Sequence, residues 1–176
     1  MTTEAVSLFP PGALLALGAL ALPLLRRRWR PTLILGLPFV TLWWVWTLPD
    51  GLSPALGLFH YELVLVHSDS LGRLFAIIFS LMAFTGGLFA LRQRSTLELV
   101  AALMYAGCAV GVALAGDLIT LFIAWEMMAV TSTMVLLSVG GERAIRVAMR
   151  YFLVQVFGGS VLLAGVLAHL AEGGSR

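Results

Sequence analysis

Six stretches of this chain read apolar almost without interruption: residues 9–25, 31–48, 74–91, 99–115, 118–139 and 147–171. A bilayer core of about 30 Å asks for roughly 20 residues at a rise of about 1.5 Å each, so each stretch approximates one membrane-spanning helix. The connection 49–73 is longer. It contains GLFHYELVLVHSD, Gly57 to Asp69, where Val64 and Val66 alternate with Leu63 and Leu65. That β-branched alternation predicts a short strand or hairpin at the membrane surface. The expectation is an all-α integral membrane protein of about six transmembrane helices, one membrane domain over residues 1–176, with no separate soluble domain, linker or low-complexity tail.

Composition agrees with the pattern. About 60% of the 176 residues are hydrophobic and 11% are charged, far from soluble usage. All eleven basic residues are Arg, and there is no Lys. The Arg side chains cluster between apolar runs, so the net charge of +2 reports topology and gives no reason to expect nucleic acid. With six spans, Arg26, Arg27, Arg28, Arg30, Arg92, Arg94, Arg143, Arg146 and Arg150 fall on one side, leaving Arg73 and Arg176 on the other. The positive-inside rule then places both termini on the non-cytoplasmic side of the cell (inner) membrane. Trp43, Trp44 and Trp46 form an aromatic belt at the end of the second span. Glu4 and the lack of a basic leader predict that the first apolar run stays in the mature protein. The single Cys108 has no partner for an internal disulfide.

Small residues suggest how the spans pack. Gly107, Gly111 and Ala115 recur every fourth position on the fourth span, and Gly158 and Gly165 lie seven apart on the sixth. Such stripes let backbones approach closely, although glycine and alanine are also simply common in membrane helices.

Polar residues inside the spans are the candidates for chemistry. Glu126 lies in GDLITLFIAWEMMAVTS, Gly116 to Ser132, near the middle of the fifth span. A charge there costs about 2.5 to 3.5 kcal/mol on insertion scales, so a carboxyl in that place is by default a candidate for proton exchange. Its helical neighbours Ile119, Phe122, Ile123, Ala129, Val130 and Thr133 offer almost no hydrogen-bond partner, so a partner must come from another helix. The blander alternative is a protonated Glu126 that bonds a neighbouring helix as packing glue. Asp117, at the start of the same span, fits a helix cap. Tyr151 and Gln155, four apart on the sixth span with Gly159 a turn further, line either a wet polar path or a plain interhelical contact. His169 fits an interfacial side chain. His60 and His67, with Asp69, make a metal site too thin for the three or four ligands one needs. No phosphate loop, Cys pair, G-x-S-x-G or H-E-x-x-H occurs, so nothing points to a soluble-type enzyme, a metal or a cofactor.

The run from Asp117 to Met127, with Leu118, Phe122, Trp125 and Glu126 between, resembles the fifth helix of the antiporter-like membrane subunits shared by Mrp-type cation/proton antiporters, respiratory complex I (proton-pumping NADH dehydrogenase) and membrane-bound hydrogenases. LVLVHSDSLGRLFAIIF resembles the family's outer segment leading into a helix, and RAIRVAMRYFLVQVFGGSVLLAG the helix that follows the motif. The resemblance spans about His60 to Leu170 and implies the N-terminal part of a fourteen-helix fold built on inverted repeats. It also implies that Glu126 is the proton-accepting carboxylate, paired in the family with a lysine on a later broken helix that this chain lacks.

The expectation is therefore a component of a proton-translocating membrane complex, antiporter or NADH dehydrogenase-like. Glu126 is its intramembrane proton carrier, and Asp117, Tyr151 and Gln155 are supporting polar residues. Protons are the cargo, with sodium as a second candidate ion. The partners are the lipid bilayer and other membrane subunits that supply the missing helices and the lysine. The competing expectation is a non-conducting structural or assembly subunit, or a truncated fragment of such a subunit.

Overall fold

The computed structural model describes residues 9–51, 55–58, 61–93 and 95–172. Among the described residues six α-helices run in chain order: α1 (Pro11–Ala19), α2 (Arg30–Thr47), α3 (Ser70–Ala90), α4 (Thr96–Ala113), α5 (Leu118–Ser138) and α6 (Gly141–Ala171). A two-stranded antiparallel hairpin, β1 (Ala55–Leu58) and β2 (Tyr61–Val64), lies between α2 and α3. It is where the valine-rich alternation predicts a hairpin. Four helices are long and apolar enough to cross a membrane: α3, α4, α5 and α6. The 18-residue α2 has the length, but Arg30, Pro31, Pro38 and its tryptophans dilute its apolar content.

The helix ends have local causes. Asp69 Oδ1 accepts from Gly72 N at 2.9 Å and caps α3, so that helix starts at Ser70, earlier than hydropathy suggests. Ser95 Oγ accepts from Glu98 N at 3.3 Å and starts α4 at Thr96. The first apolar run, 9–25, is α-helical over nine residues only. Pro23 explains the stop: its ring excludes the helical bond to the Ala19 carbonyl, and the chain tightens into i to i−3 bonds such as Leu22 N to Ala19 O at 3.1 Å. Inside α2, Pro38 likewise leaves the Ile34 carbonyl without its helical donor, and Gly87 of α3 packs against that carbonyl.

Successive helices alternate in direction. Gly18 of α1 meets Leu37 of α2, Gly87 of α3 meets Ile34 of α2, and Gly72 of α3 meets the Ala113 carbonyl of α4. Alternation gathers Arg26, Arg27, Arg28, Arg30, Arg92, Arg143, Arg146 and Arg150 at one end of the bundle, where Arg30 Nη1 donates to Thr96 Oγ1 at 2.8 Å. Arg73 sits at the hairpin end, bonded to Asp50 Oδ1 at 2.8 Å and donating to the Leu48 carbonyl just past α2, where a cation suits the helix dipole. Arg94, Arg176 and His60 lie outside the described residues.

Helix α4 is the hub. It carries eight buried residues and packs against α1, α3 and α5. Its contact with α1 brings backbone against backbone. A Cβ on Gly12 would strike the Gly107 carbonyl, and one on Gly107 would strike the Gly12 carbonyl and Ala16 N. The Gly107 and Gly111 stripe is therefore an interhelical face, and its partner is the short α1.

Helix α6 is attached differently. It packs on α5, and only Ala148, Gly159 and Val166 of its residues are buried. The link between the two is Gly140 at φ 77° and ψ 166°, then Gly141 at φ 85°. Gly140 occupies a region essentially reserved for glycine, so Gly140→Ala is expected to lose about 1 to 3 kcal/mol of stability. Gly86→Ala, in open space on α3, is expected to be neutral or to gain up to about 1 kcal/mol. Thermal unfolding of both variants in detergent checks the pair.

Candidate functional site

The site is the seam between α5 and α6, and Asp117 starts α5 at the hairpin end. Asp117 is 7% exposed, and its carboxylate takes four hydrogen bonds. Oδ1 accepts from Ile119 N at 2.9 Å and Thr120 N at 2.8 Å; Oδ2 accepts from Thr120 Oγ1 at 2.6 Å and Val64 N at 2.8 Å. It is a helix cap, as its position suggests, and also a clamp, because Val64 N belongs to β2. Gly116 N adds a bond to the Val64 carbonyl at 3.0 Å, and His67 N one to the Leu114 carbonyl at 2.7 Å. Gly116 has no room for a Cβ against Val64 and His67, which is why the chain can pass so close.

Removing that carboxylate deletes the cap, worth about 1 kcal/mol. It also leaves the Val64 N–H without a partner, at about 1 to 3 kcal/mol. Asp117→Ala is accordingly expected to lose about 2 to 3 kcal/mol, and Asp117→Asn less, since its one remaining carbonyl oxygen can still cap. Unfolding curves of the two variants provide the check.

Glu126 comes eight residues into α5 and turns towards α6. Its carboxyl lies over Gly159, in the space that a Cβ there would fill. Oε1 is buried and has no hydrogen-bond partner. The neighbouring helix thus contributes a bare backbone surface where a polar partner was expected.

Along the same seam Tyr151 Oη donates to Ser132 Oγ at 3.1 Å, and Gln155 Nε2 donates to Tyr151 Oη at 3.1 Å. Ser132 Oγ in turn donates to the Ala129 carbonyl at 3.0 Å. Tyr151, Gln155 and Gly159 follow one another at four-residue spacing, so the polar row and the Glu126 carboxyl share one face of α6. A cavity of about 480 Å³ between α4, α5 and α6 reaches this row, with Tyr105, Ser132, Leu136, Val147 and Tyr151 on its walls. It lies towards the Arg-rich end.

Sequence reasoning placed Gly159 on the face of Tyr151 and Gln155 but missed Ser132 and the use to which Gly159 is put. Ser132 carries no periodic relation to Glu126, and only the antiparallel register of α5 on α6 brings it to Tyr151. Gly159 reads as one more small residue until a neighbouring side chain is seen to fill its missing Cβ. His169 lies in the last turn of α6 and His67 is exposed at the hairpin end, both away from the seam. Among the described residues no three His, Cys, Asp or Glu side chains converge as a metal site would need.

No curated protein and no solved structure gives a significant match to this chain. The family model described as the NADH:quinone oxidoreductase/Mrp antiporter transmembrane segment matches residues 115–175, which covers Asp117, Glu126 and the whole α5–α6 seam. Over that segment the chain is similar to the NADH:quinone oxidoreductase/Mrp antiporter membrane subunit family.

Proposed function

We propose that this chain is a proton-translocating subunit of a larger membrane assembly in the cell membrane, and that Glu126 takes up and releases the proton. The observation that carries the reading is the Glu126 carboxyl, held in an apolar helix with a buried Oε1 that no donor satisfies. An ionisable side chain inside a membrane-spanning helix is costly to place there, and that cost marks it as a functional group by default. The polar row of Ser132, Tyr151 and Gln155 supplies hydrogen-bonding groups along the same seam, and the largely apolar cavity beside it meets that row at Ser132 and Tyr151.

Binding a proton is half of transport. Direction comes from a second charge whose position changes the carboxyl's affinity, or from alternating access to the two sides. The chain has no lysine to play that part. The cation comes from outside these 176 residues, and α6 offers its carrier a surface: its face away from α5 presents exposed Leu153, Val154, Phe157 and Val161. Protons are the transported species and sodium is the candidate exchanging ion. The Arg-rich end faces the cytoplasm, which puts both termini on the opposite side. The second reading, a non-conducting assembly subunit, draws on the same uncovered face of α6.

Gentle extraction of the natively expressed chain, intact mass spectrometry of the preparation, and proton flux in proteoliposomes made from it test the proposal. Hydrophobic partners that copurify together with proton flux are expected. An intact assembly that contains the chain and moves no protons under a pH gradient or a redox drive would leave the assembly-subunit reading in possession.

A further inference from the structure

Two adjacent glycines on α6 stand in opposite surroundings. An added Cβ on Gly158 would meet nothing within 4 Å, whereas one on Gly159 would collide with Glu126 Oε1 and lie 2.8 Å from its Cδ and 3.3 Å from Oε2. Gly159 is one of only three buried residues on α6, and the atoms that bury it include the carboxyl of another helix. Glycine inside a helix costs about 1 kcal/mol relative to alanine, so the α6 backbone gives up stability at a place that the end of the Glu126 side chain occupies.

Hydrogen bonds do not explain why the carboxyl lies there. Oε1 has no partner, and the nearest polar side chain along α6 on that face, Gln155, spends its amide on Tyr151. Shape does explain it. The missing Cβ leaves a notch in α6 about as large as the carboxyl oxygen that enters it. Any side chain in that notch forces Glu126 out of the seam, towards the surfaces of α5 where Ile123, Trp125, Met127 and Val130 are exposed.

We infer that Gly159 is a positioning residue, a backbone notch that seats the Glu126 carboxyl between α5 and α6 and sets the surroundings in which it exchanges its proton. A notch orients without an ion pair or a strong hydrogen bond, so no bond has to break before the carboxyl takes up or gives away a proton. This consequence for transport rests on the reading of Glu126 as the proton carrier; the seat does not.

The test uses the purified full chain in lipid nanodiscs and two readouts. The first is the infrared carbonyl band of protonated Glu126, followed against pH and assigned by its loss in Glu126→Gln. Gly159→Ala is expected to shift both the band and the pH midpoint at which it appears, and Gly158→Ala to shift neither. The second is thermal unfolding. Gly159→Ala is expected to fall short of the rise in midpoint that helix propensity gives Gly158→Ala, because Glu126 must swing aside, and Glu126→Asp combined with it to restore much of that loss, because the shorter side chain withdraws from the new Cβ. An unchanged band in Gly159→Ala overturns the inference. So does an equal shift in Gly158→Ala, and so does a double variant in which the two losses simply add. Full proton flux with Gln at position 126 would remove the carrier reading and leave these outcomes untouched.

Discussion

An assembly carrying Glu126→Gln is expected to lose proton-coupled flux down to the background leak while remaining assembled and folded. The substitution isolates the proton. Glutamine has nearly the same shape, so it can enter the same notch over Gly159, and Oε1 already lacks a hydrogen-bond partner, so no bond is lost there. The unfolding midpoint should therefore change little. What disappears is the group that can hold a proton at that depth of the membrane. Glu126→Asp separates chemistry from placement. It keeps the carboxyl but pulls it back by one methylene from α6, and a displacement of about 1 Å at a reacting group costs on the order of 100-fold in rate. Flux that is strongly reduced with Asp and absent with Gln is the expected order. A pH-sensitive dye inside proteoliposomes measures the flux, and detergent unfolding reports the fold. Flux at the parent level with Gln would take Glu126 off the path.

Much of this arrangement is legible in the residues because hydropathy acts locally. A block of apolar residues must satisfy its own backbone in lipid and becomes a helix whatever surrounds it. The start of the alternation, Leu63 and Val64, finds a strand partner a few residues away, while Val66 lies past the strand. Glu126 stands out because any charge inside such a block is costly, and Asp117 because a short carboxylate before an apolar run is a cap. The parts that stay hidden depend on distant residues meeting. That Asp117 also holds Val64 N depends on the path of the connection between α2 and α3. The shortness of α1 was readable in principle from Pro23, but a hydropathy window averages over a single proline. The contrast between Gly158 and Gly159 shows in the sequence only as the four-residue step from Gln155 to Gly159, because which side of α6 lies against α5 decides it.

The same dependence on register gives the fourth helix its most sensitive position. Gly107→Leu is expected to undock α1 and to lower stability by about 3 kcal/mol or more, near or above the upper end of the range for forcing bulk into a packed core. The reason is what the new atoms would meet. A Cβ at Gly107 falls on the Gly12 carbonyl, on Ala16 N and on the Leu15 Cβ, two of them backbone atoms of a helix only nine residues long. Backbone cannot rotate aside as a side chain can, so α1 must move as a body, and with it the contacts of the buried Leu15 and Ala19. Gly107→Ala should already weaken the docking. Gly111, one turn along the same stripe, behaves differently: its Cβ would meet only Ala124 Cβ at 3.6 Å, an ordinary contact. Gly111→Ala is expected to be close to neutral, its helix propensity offsetting whatever α1 must yield. A graded loss at 107 beside tolerance at 111, measured by unfolding and by protease sensitivity of the α1 end, would place the crossing of α1 on Gly107 itself. Equal losses at both positions would mean that the stripe acts as a whole and that α1 approaches over its full length.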